Sequence, residues 1–296
     1  MANLNYATEY SQALAGAYPY ALYFGALYGT PNNNRYRFVD ARTIAIPSIS
    51  TTGRVDADRD TIATAQRNYN NAWENKTLTH QRQWSTLVHP KDIDQTNHVA
   101  SIANITAEFN QNQKFPEMDA YTVSQLYKLW TEQGMTADKT VLSASNILAI
   151  FDSLMEKMDE KRVPVTGRIL YVPVPVKTML KNAAGMTRNF DVKTGGSKID
   201  RSISRIEEVE IVGVPSELMK TKYDFTAGYK VDGTAKQINM FLVHPSAVIT
   251  PVSYESSSLD EPKAITGGKW LYYEESHEDV FILNKRADAL QFNVEA

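Results

Sequence analysis

The chain has 296 residues, 43% of them hydrophobic and 22% charged, with a formal charge of −3 and no cysteine. This composition excludes a fibre or a wholly disordered chain, and the near-neutral charge argues against a protein that coats nucleic acid directly. The absence of cysteine removes disulfides, thiolate metal sites and a cysteine nucleophile, and it suits synthesis in a reducing cytosol.

The opening Met1-Ala2-Asn3-Leu4 lacks the basic start and apolar run of a signal peptide, and no stretch approaches the roughly 18 apolar residues of a membrane span. The first 36 residues hold seven of the sixteen tyrosines, with Phe24 among them, and end at the turn Pro31-Asn32-Asn33-Asn34. Two readings stay open: a first helix on its own core, or an arm lying on a neighbouring subunit, since tyrosine offers much contact area for little entropy.

Thr43-Ile44-Ala45-Ile46 alternates as a strand and meets Pro47, which a central strand would not tolerate. A charge-dense stretch follows, with Arg54, Asp56, Asp58, Arg59 and Asp60. A second extended run spans about 73–88, and neither of its faces is apolar enough to bury. A long two-stranded ribbon with two polar faces is marginal in water by itself, which predicts an arm held by something outside its own domain.

Beyond Pro90 the period becomes helical: Val99, Ile102, Ile105 and Phe109 step by three and four, with Thr96 and Asn97 as expected caps. Phe115-Pro116-Glu117-Met118-Asp119 restarts a helix that carries Tyr121, Leu126, Leu129 and Trp130 to a stop at Gly134. A third helix over 145–160 shows an apolar stripe from Ile147 to Met158. The remainder reads as a buried strand at 168–172, a short helix opened by Pro175, a loop at Gly195-Gly196, and strands near 206–214, 237–243, 246–254, 269–274, 279–284 and 288–294. Helices followed by a strand-rich half predict an α+β fold.

Chemistry-bearing patterns are scarce. His89, Asp92 and Asp94 could be drawn as a metal site, the basis of one alternative, a metal-dependent hydrolase; the competing reading is a turn in which Asp92 or Asp94 caps the coming helix. Gly195-Gly196-Ser197-Lys198 lacks the spacing of a phosphate loop, and neither a nucleophile elbow nor a dinucleotide fingerprint occurs. Glu207-Glu208 and Glu274-Glu275 read as solvated faces. No catalytic residue, cofactor or metal is expected. Residues 54–91 carry six basic side chains against four acids, and residues 97–160 carry four lysines against nine acids, so a basic arm over a neighbour's acidic helix would steer assembly.

The order of motifs resembles a known family. Arg42-Thr43-Ile44-Ala45-Ile46-Pro47-Ser48-Ile49 is followed by Thr52-Gly53 and Asp56-Ala57-Asp58-Arg59. Then come Trp73-Glu74 with Thr77-Leu78-Thr79 and Arg82, the Asp92-Ile93-Asp94-Gln95-Thr96-Asn97 turn, and Phe115-Pro116-Glu117-Met118-Asp119-Ala120-Tyr121. The likeness continues through Arg168-Ile169-Leu170-Tyr171-Val172, Val212-Gly213-Val214-Pro215, Phe241-Leu242-Val243-His244-Pro245 and the strand from Asp279. Together these resemble the major capsid proteins of tailed bacteriophages with the Hong Kong 97-type capsid fold.

That resemblance implies an N-terminal arm over 1–40, an extended loop over 41–95, a peripheral domain with a spine helix over 96–140 and 238–296, and an axial domain over 141–237. It implies a structural subunit, not an enzyme, that self-assembles as hexamers and pentamers into an icosahedral shell around double-stranded DNA, without sequence-specific binding and without a membrane. Expected partners are a scaffolding protein, because no long charged N-terminal extension serves as one, and a portal, with room for a decoration protein. The expected location is the virion, after synthesis in the host cytoplasm. The expected contact residues are Arg54, Asp56, Asp58, Arg59, Lys76, Arg82, Trp84, Glu117, Asp119 and Tyr121. A nanocompartment shell of the same fold is the other structural alternative.

Overall fold

A computed structural model describes residues 22–34, 36–40, 42–54, 69–95, 101–183, 205–283 and 286–296. Gly25–Tyr28 forms a one-turn helix, α1. Strands β1 (Arg37–Asp40), β2 (Thr43–Thr51) and β3 (Tyr69–Thr77) make an antiparallel three-stranded sheet. Strand β4 (His80–Val88) leads into the short helix α2 (Pro90–Gln95), and then come α3 (Ile102–Phe109), α4 (Phe115–Glu132) and α5 (Ile147–Glu160). Strand β5 (Ile169–Pro173), helix α6 (Val174–Lys181) and strands β6 (Arg205–Ile206) and β7 (Val209–Val214) follow. The C-terminal part adds β8 (Tyr223–Asp224), β9 (Lys230–Val231), β10 (Ile238–Val243), β11 (Val248–Ile249), β12 (Val252–Asp260), β13 (Trp270–Glu278), β14 (Phe281–Ile282) and β15 (Leu290–Val294).

The core is a five-stranded sheet in the order β15-β10-β5-β7-β6, with β5 and β7 parallel and the other pairs antiparallel. Strand β5 is buried at every position, as its unbroken apolar run requires when both faces are covered. Helix α5 lays Ile147, Ile150, Phe151, Leu154, Met155 and Met158 into the same core. Phe241 stacks on Phe292 at 4.4 Å and on Tyr171 at 5.7 Å, a column of rings through three adjacent strands. Arg168, wholly buried beside β5, reaches Asp159 at 2.6 Å and the carbonyls of Pro164 and Val163, so its charge is paired and its donors are used.

Two helices were expected on either side of residue 115, but the backbone runs helically from Ile102 to Glu132. An i+5 stretch over Asn110–Lys114 joins α3 to α4. Pro116 has no N–H for the carbonyl four residues back, and widening the preceding turn accommodates its ring without a break. Ser101, not Thr96 or Asn97, caps this helix by accepting the Asn104 N–H, and 96–100 lie outside the described residues. The helix ends where expected: Gly134 takes a φ of +81°, open to glycine without strain.

The second extended run is the main departure. It does not continue unbroken from 73 to 88 but divides at Leu78-Thr79. The first part, β3, pairs with β2 from Thr43↔Thr77 to Thr51↔Tyr69. The second, β4, pairs with β13 from Trp270↔Val88 to Glu278↔His80, and β13 pairs with β12. The expectation that neither face buries fails for β4, whose His80 and Val88 are interior and whose Trp84 packs on the long helix.

Residues 22–34 pack on the chain's own core. Phe24 and Leu27 are fully buried, and Phe24 lies 4.5 Å from the Tyr171 ring. The other reading of the tyrosine-rich leader falls on residues 1–21, outside the described residues, as do Gly195 and Gly196.

Candidate interaction surfaces

Among the described residues the β2–β3 ribbon is rooted at one end. Ile44 and Ile46 of β2 and the adjacent Leu78 bury against Ile249 and Phe281. Beyond that root both strands lie open: Ile49 is 72% exposed, Tyr69 54% and Trp73 48%. The Arg37 guanidinium sits 4.1 Å over the Trp73 ring, which holds that indole in place without covering it. Large apolar side chains on a ribbon without a core of its own mark a surface that something else covers.

The point where the ribbon leaves the body is clamped by buried polar groups. Asp279 accepts from the Thr79 N–H at 2.8 Å and the Thr79 hydroxyl at 3.1 Å with one oxygen, and from the Tyr121 hydroxyl and Val280 N–H, both at 2.8 Å, with the other. Next to this clamp His80 stacks on Tyr121 at 3.7 Å, with Glu117 and Glu278 oxygens 3.8 and 3.9 Å from Nε2. Burial, aided by the Arg82 charge, lowers the His80 pKa to about 3, and burial raises that of Glu278 to about 7. Arg82 already pairs with Glu117 through two nitrogens and donates to the Phe225 carbonyl at 2.7 Å, so His80 stays neutral between the two acids.

A cleft of about 630 Å³ opens beside this cluster, between the long helix and the β12-β13-β4 sheet. Trp84 and Phe109, stacked at 4.0 Å and 8°, form its apolar part. Its walls carry five glutamates (Glu117, Glu255, Glu274, Glu275 and Glu278) against two cations, Arg82 and Lys114. The adjacent acids read as one solvated face are split by strand alternation. Glu274 faces the helix and meets Lys114 at 3.4 Å, while Glu275 accepts the Tyr273 hydroxyl at 2.8 Å.

Of the ten expected contact residues, the seven that are described do not form one surface. Arg54 is exposed at the end of the described part of the ribbon, Lys76 is half-buried near its root, and Asp56, Asp58 and Arg59 lie outside the described residues. Arg82, Trp84 and Glu117 line the cleft. Asp119 and Tyr121 turn inward instead of forming a surface. Asp119, 2% exposed, accepts the N–H groups of Tyr23 and Phe24 at 3.0 and 3.1 Å, and burial pushes its pKa up to about 7. A two-residue step on a helix turns by about 200°, so Glu117 and Asp119 were bound to face different ways.

No group of three or more His, Asp or Glu placed to hold a metal occurs among the described residues, and the Asp94 side chain lies outside them. His89 caps the short helix α2, its Nδ1 accepting the Lys91 N–H at 3.1 Å. Among the described residues no helix is long and apolar enough to cross a membrane.

No protein-family model and no curated protein matches the sequence. Solved structures do match. The mature capsid of bacteriophage PhiM1 aligns over 85% of this chain and 81% of that one, at 14% identity and a TM-score of 0.60. The capsid of cyanophage P-SCSP1u aligns over 86% and 84%, at 12% identity and 0.56. A chain from Mycobacterium phage Che8 aligns over 91% and 90%, at 12% identity and 0.51. The α+β architecture is therefore the fold of phage major capsid proteins, shared at low sequence identity.

Proposed function

We propose that the chain is a major capsid protein that self-assembles as hexamers and pentamers into the icosahedral head of a tailed phage, enclosing double-stranded DNA. The ribbon carries this reading. On a fold shared with a mature phage capsid, the outer part of β2–β3 leaves Ile49, Tyr69 and Trp73 in water. A subunit working alone gains nothing from that exposure, whereas an assembling one buries it against a neighbour.

In this reading residues 1–40 are the N-terminal arm and 41–95 the extended loop. Segments 96–140 and 238–296 are the peripheral domain with the Ile102–Glu132 helix as its spine, and 141–237 are the axial domain. Arg54, Asp56, Asp58, Arg59 and Lys76 contact the neighbour, and Arg82, Trp84 and Glu117 shape the platform that receives it. Interface energy does the work, with obligate contacts of roughly 2,000–5,000 Å² per subunit, and no catalytic group or cofactor takes part. A scaffolding protein and a portal complete assembly in the host cytoplasm, and the precursor shell rearranges into the virion.

The test is negative-stain microscopy of the protein alone and with scaffolding partners, for the full chain and for a trimmed ribbon. Replacing 49–71 by an Asn-Gly turn closes the strands at the Ser48↔Ala72 pair and keeps the buried root. The full chain is expected to give uniform closed shells, and the trimmed chain a folded subunit that gives none. Shells from the trimmed chain, or a persistent monomer from the full chain with every partner, would overturn the proposal.

A further inference from the structure

Four elements meet at His80, and a buried acid–base couple lies at their junction. The His80 ring, the first of β4, stacks on Tyr121 of α4 at 3.7 Å. Phe225, just after β8 in the β8–β9 hairpin, packs edge-on against His80 at 5.5 Å and against Tyr121 at 5.4 Å. Its carbonyl takes the Arg82 guanidinium. Glu278 of β13 stands 3.9 Å from the His80 Nε2. His80 and Glu278 are each only 7% exposed, and Nε2 meets no hydrogen-bond partner among the described residues. The couple sits directly after the Leu78-Thr79 break, where the ribbon leaves the body.

The charged neighbours are engaged elsewhere. Arg82 and Glu117 hold each other, and Lys114 pairs with Glu274. Both Asp279 oxygens are filled by the clamp, one of them by the Tyr121 hydroxyl. Glu255 of β12 is exposed to solvent. On the hairpin, Tyr223 donates to the Glu217 carbonyl and Asp224 accepts from Thr226, while burial raises the pKa of Tyr229 and keeps its hydroxyl neutral. His80 and Glu278 are left facing each other.

A gap of 3.9 Å is too long for a hydrogen bond. An imidazolium and a carboxylate here would be two ions out of water with no bond between them, and a neutral pair avoids that cost. In water the histidine, at 6.5, keeps the proton that the glutamate, at 4.5, gives up; burial reverses the order, raising Glu278 to about 7 and lowering His80 to about 3. Either arrangement contains one proton. Between about pH 4.5 and 6.5 the closed, neutral couple and the open, hydrated ion pair therefore hold the same number, and opening neither takes up nor releases any. Below 4.5 the open couple gains a second proton, which the closed couple refuses down to about pH 3, so acid drives opening there.

We propose that His80 and Glu278 carry one proton between them as a neutral couple that locks the β8–β9 hairpin to the root of the ribbon, indifferent to pH in mild acid and released by stronger acid. Opening brings water to His80, which parts the Phe225 edge from the two rings it covers and loosens the first residues of β4. The lock is a property of the single subunit, and its test is independent of the shell reading.

Hydrogen exchange of the full-length subunit tests it, read by mass spectrometry and corrected for the intrinsic pH dependence of exchange. Peptides over 79–84 and 222–231 report the lock, and peptides of β5 and β10 report global unfolding. In the wild type, opening is expected to change by less than about threefold between pH 6.5 and 4.5. Glu278→Gln leaves His80 alone, so opening should rise about tenfold per unit of acidification across that window. His80→Gln leaves Glu278 alone, and opening should fall by a similar factor. Loosened packing shifts exchange equally at every pH and cannot give two slopes of opposite sign. If His80→Gln does not fold, His80→Phe, which keeps a ring on Tyr121, takes its place. A wild-type slope as steep as either variant's, or a variant slope as flat as the wild type's, would overturn the lock.

Discussion

The β5-centred sheet and the β2–β3 ribbon are both built of strands, yet they solve opposite problems. Every residue of β5 and β15 is buried, and the sheet's rings stack in register against each other. The ribbon has a short buried root, Ile44, Ala45 and Ile46 of β2 with the adjacent Leu78, and its outer strands show large apolar groups to solvent. The sheet is completed by the subunit itself. The ribbon's outer strands are not completed by the described residues, and on the proposed reading a neighbouring copy covers them.

The difference is sharpest in what truncation costs. Phe241→Ala removes the middle ring of the Tyr171–Phe241–Phe292 column, wholly buried, and is expected to lower subunit stability by about 3–5 kcal/mol. Denaturant unfolding of the soluble subunit reads this directly, and a loss under about 1 kcal/mol would mean the sheet is not the stability-determining core. Asp279→Ala strikes the junction of the two regions. It strands the Tyr121 hydroxyl and the Thr79 N–H without their acceptor and should lose roughly 2–4 kcal/mol. Proteolysis should then reach the ribbon root first, and protection there equal to wild type would argue against the clamp.

The polar cluster beside the junction gives a pH signature. Glu278 has its pKa raised to about 7 by burial, above the ordinary 4.5 of the unfolded chain. The folded state therefore holds a proton that the unfolded state releases between those values, so this contribution is complete below about pH 4.5 and lost as pH rises through 7. Glu278→Gln is neutral throughout and should flatten that fall. The loss of stability from pH 5 to pH 8 should shrink by about 1–3 kcal/mol relative to wild type. Melting curves at the two pH values decide it, and an unchanged difference would show that Glu278 is ionised in the folded subunit.

Much of the sheet was legible before any coordinates. The stripe of α5, the apolar run of β5 and the strands near 237–243 and 288–294 each repeat with the period of the element they form. The ribbon was legible in part, through the alternation of 43–46 ahead of Pro47, but the run whose two faces read as polar spans 73–88, and most of it is β4, whose His80 and Val88 are buried. The break at Leu78-Thr79 was not, since it depends on Asp279, some 200 residues away, accepting from Thr79. The long helix hid its continuity behind Pro116, because local rules read proline as a new start and not as a tolerated bulge. The cleft was the least legible. Trp84, Phe109 and Glu274 come from three separate segments, and only the pairing of β4 with β13 brings them together.

The smallest expected effect on the subunit tests the comparison most directly. Trp73 is 48% exposed, and its one described aromatic contact is the Arg37 guanidinium at 4.1 Å, an exposed pair worth about 0.5–1 kcal/mol. Trp73→Ala should thus shift subunit unfolding by no more than about 1 kcal/mol, while the yield of closed particles falls severely because a neighbour loses a large aromatic contact. Unfolding of the soluble subunit and particle yield by sedimentation are read from one preparation. A stability loss matching that of Phe241→Ala would place Trp73 in the subunit's own core and dissolve the distinction between the two regions. An unchanged particle yield would leave the ribbon exposed in the shell as well as in the subunit.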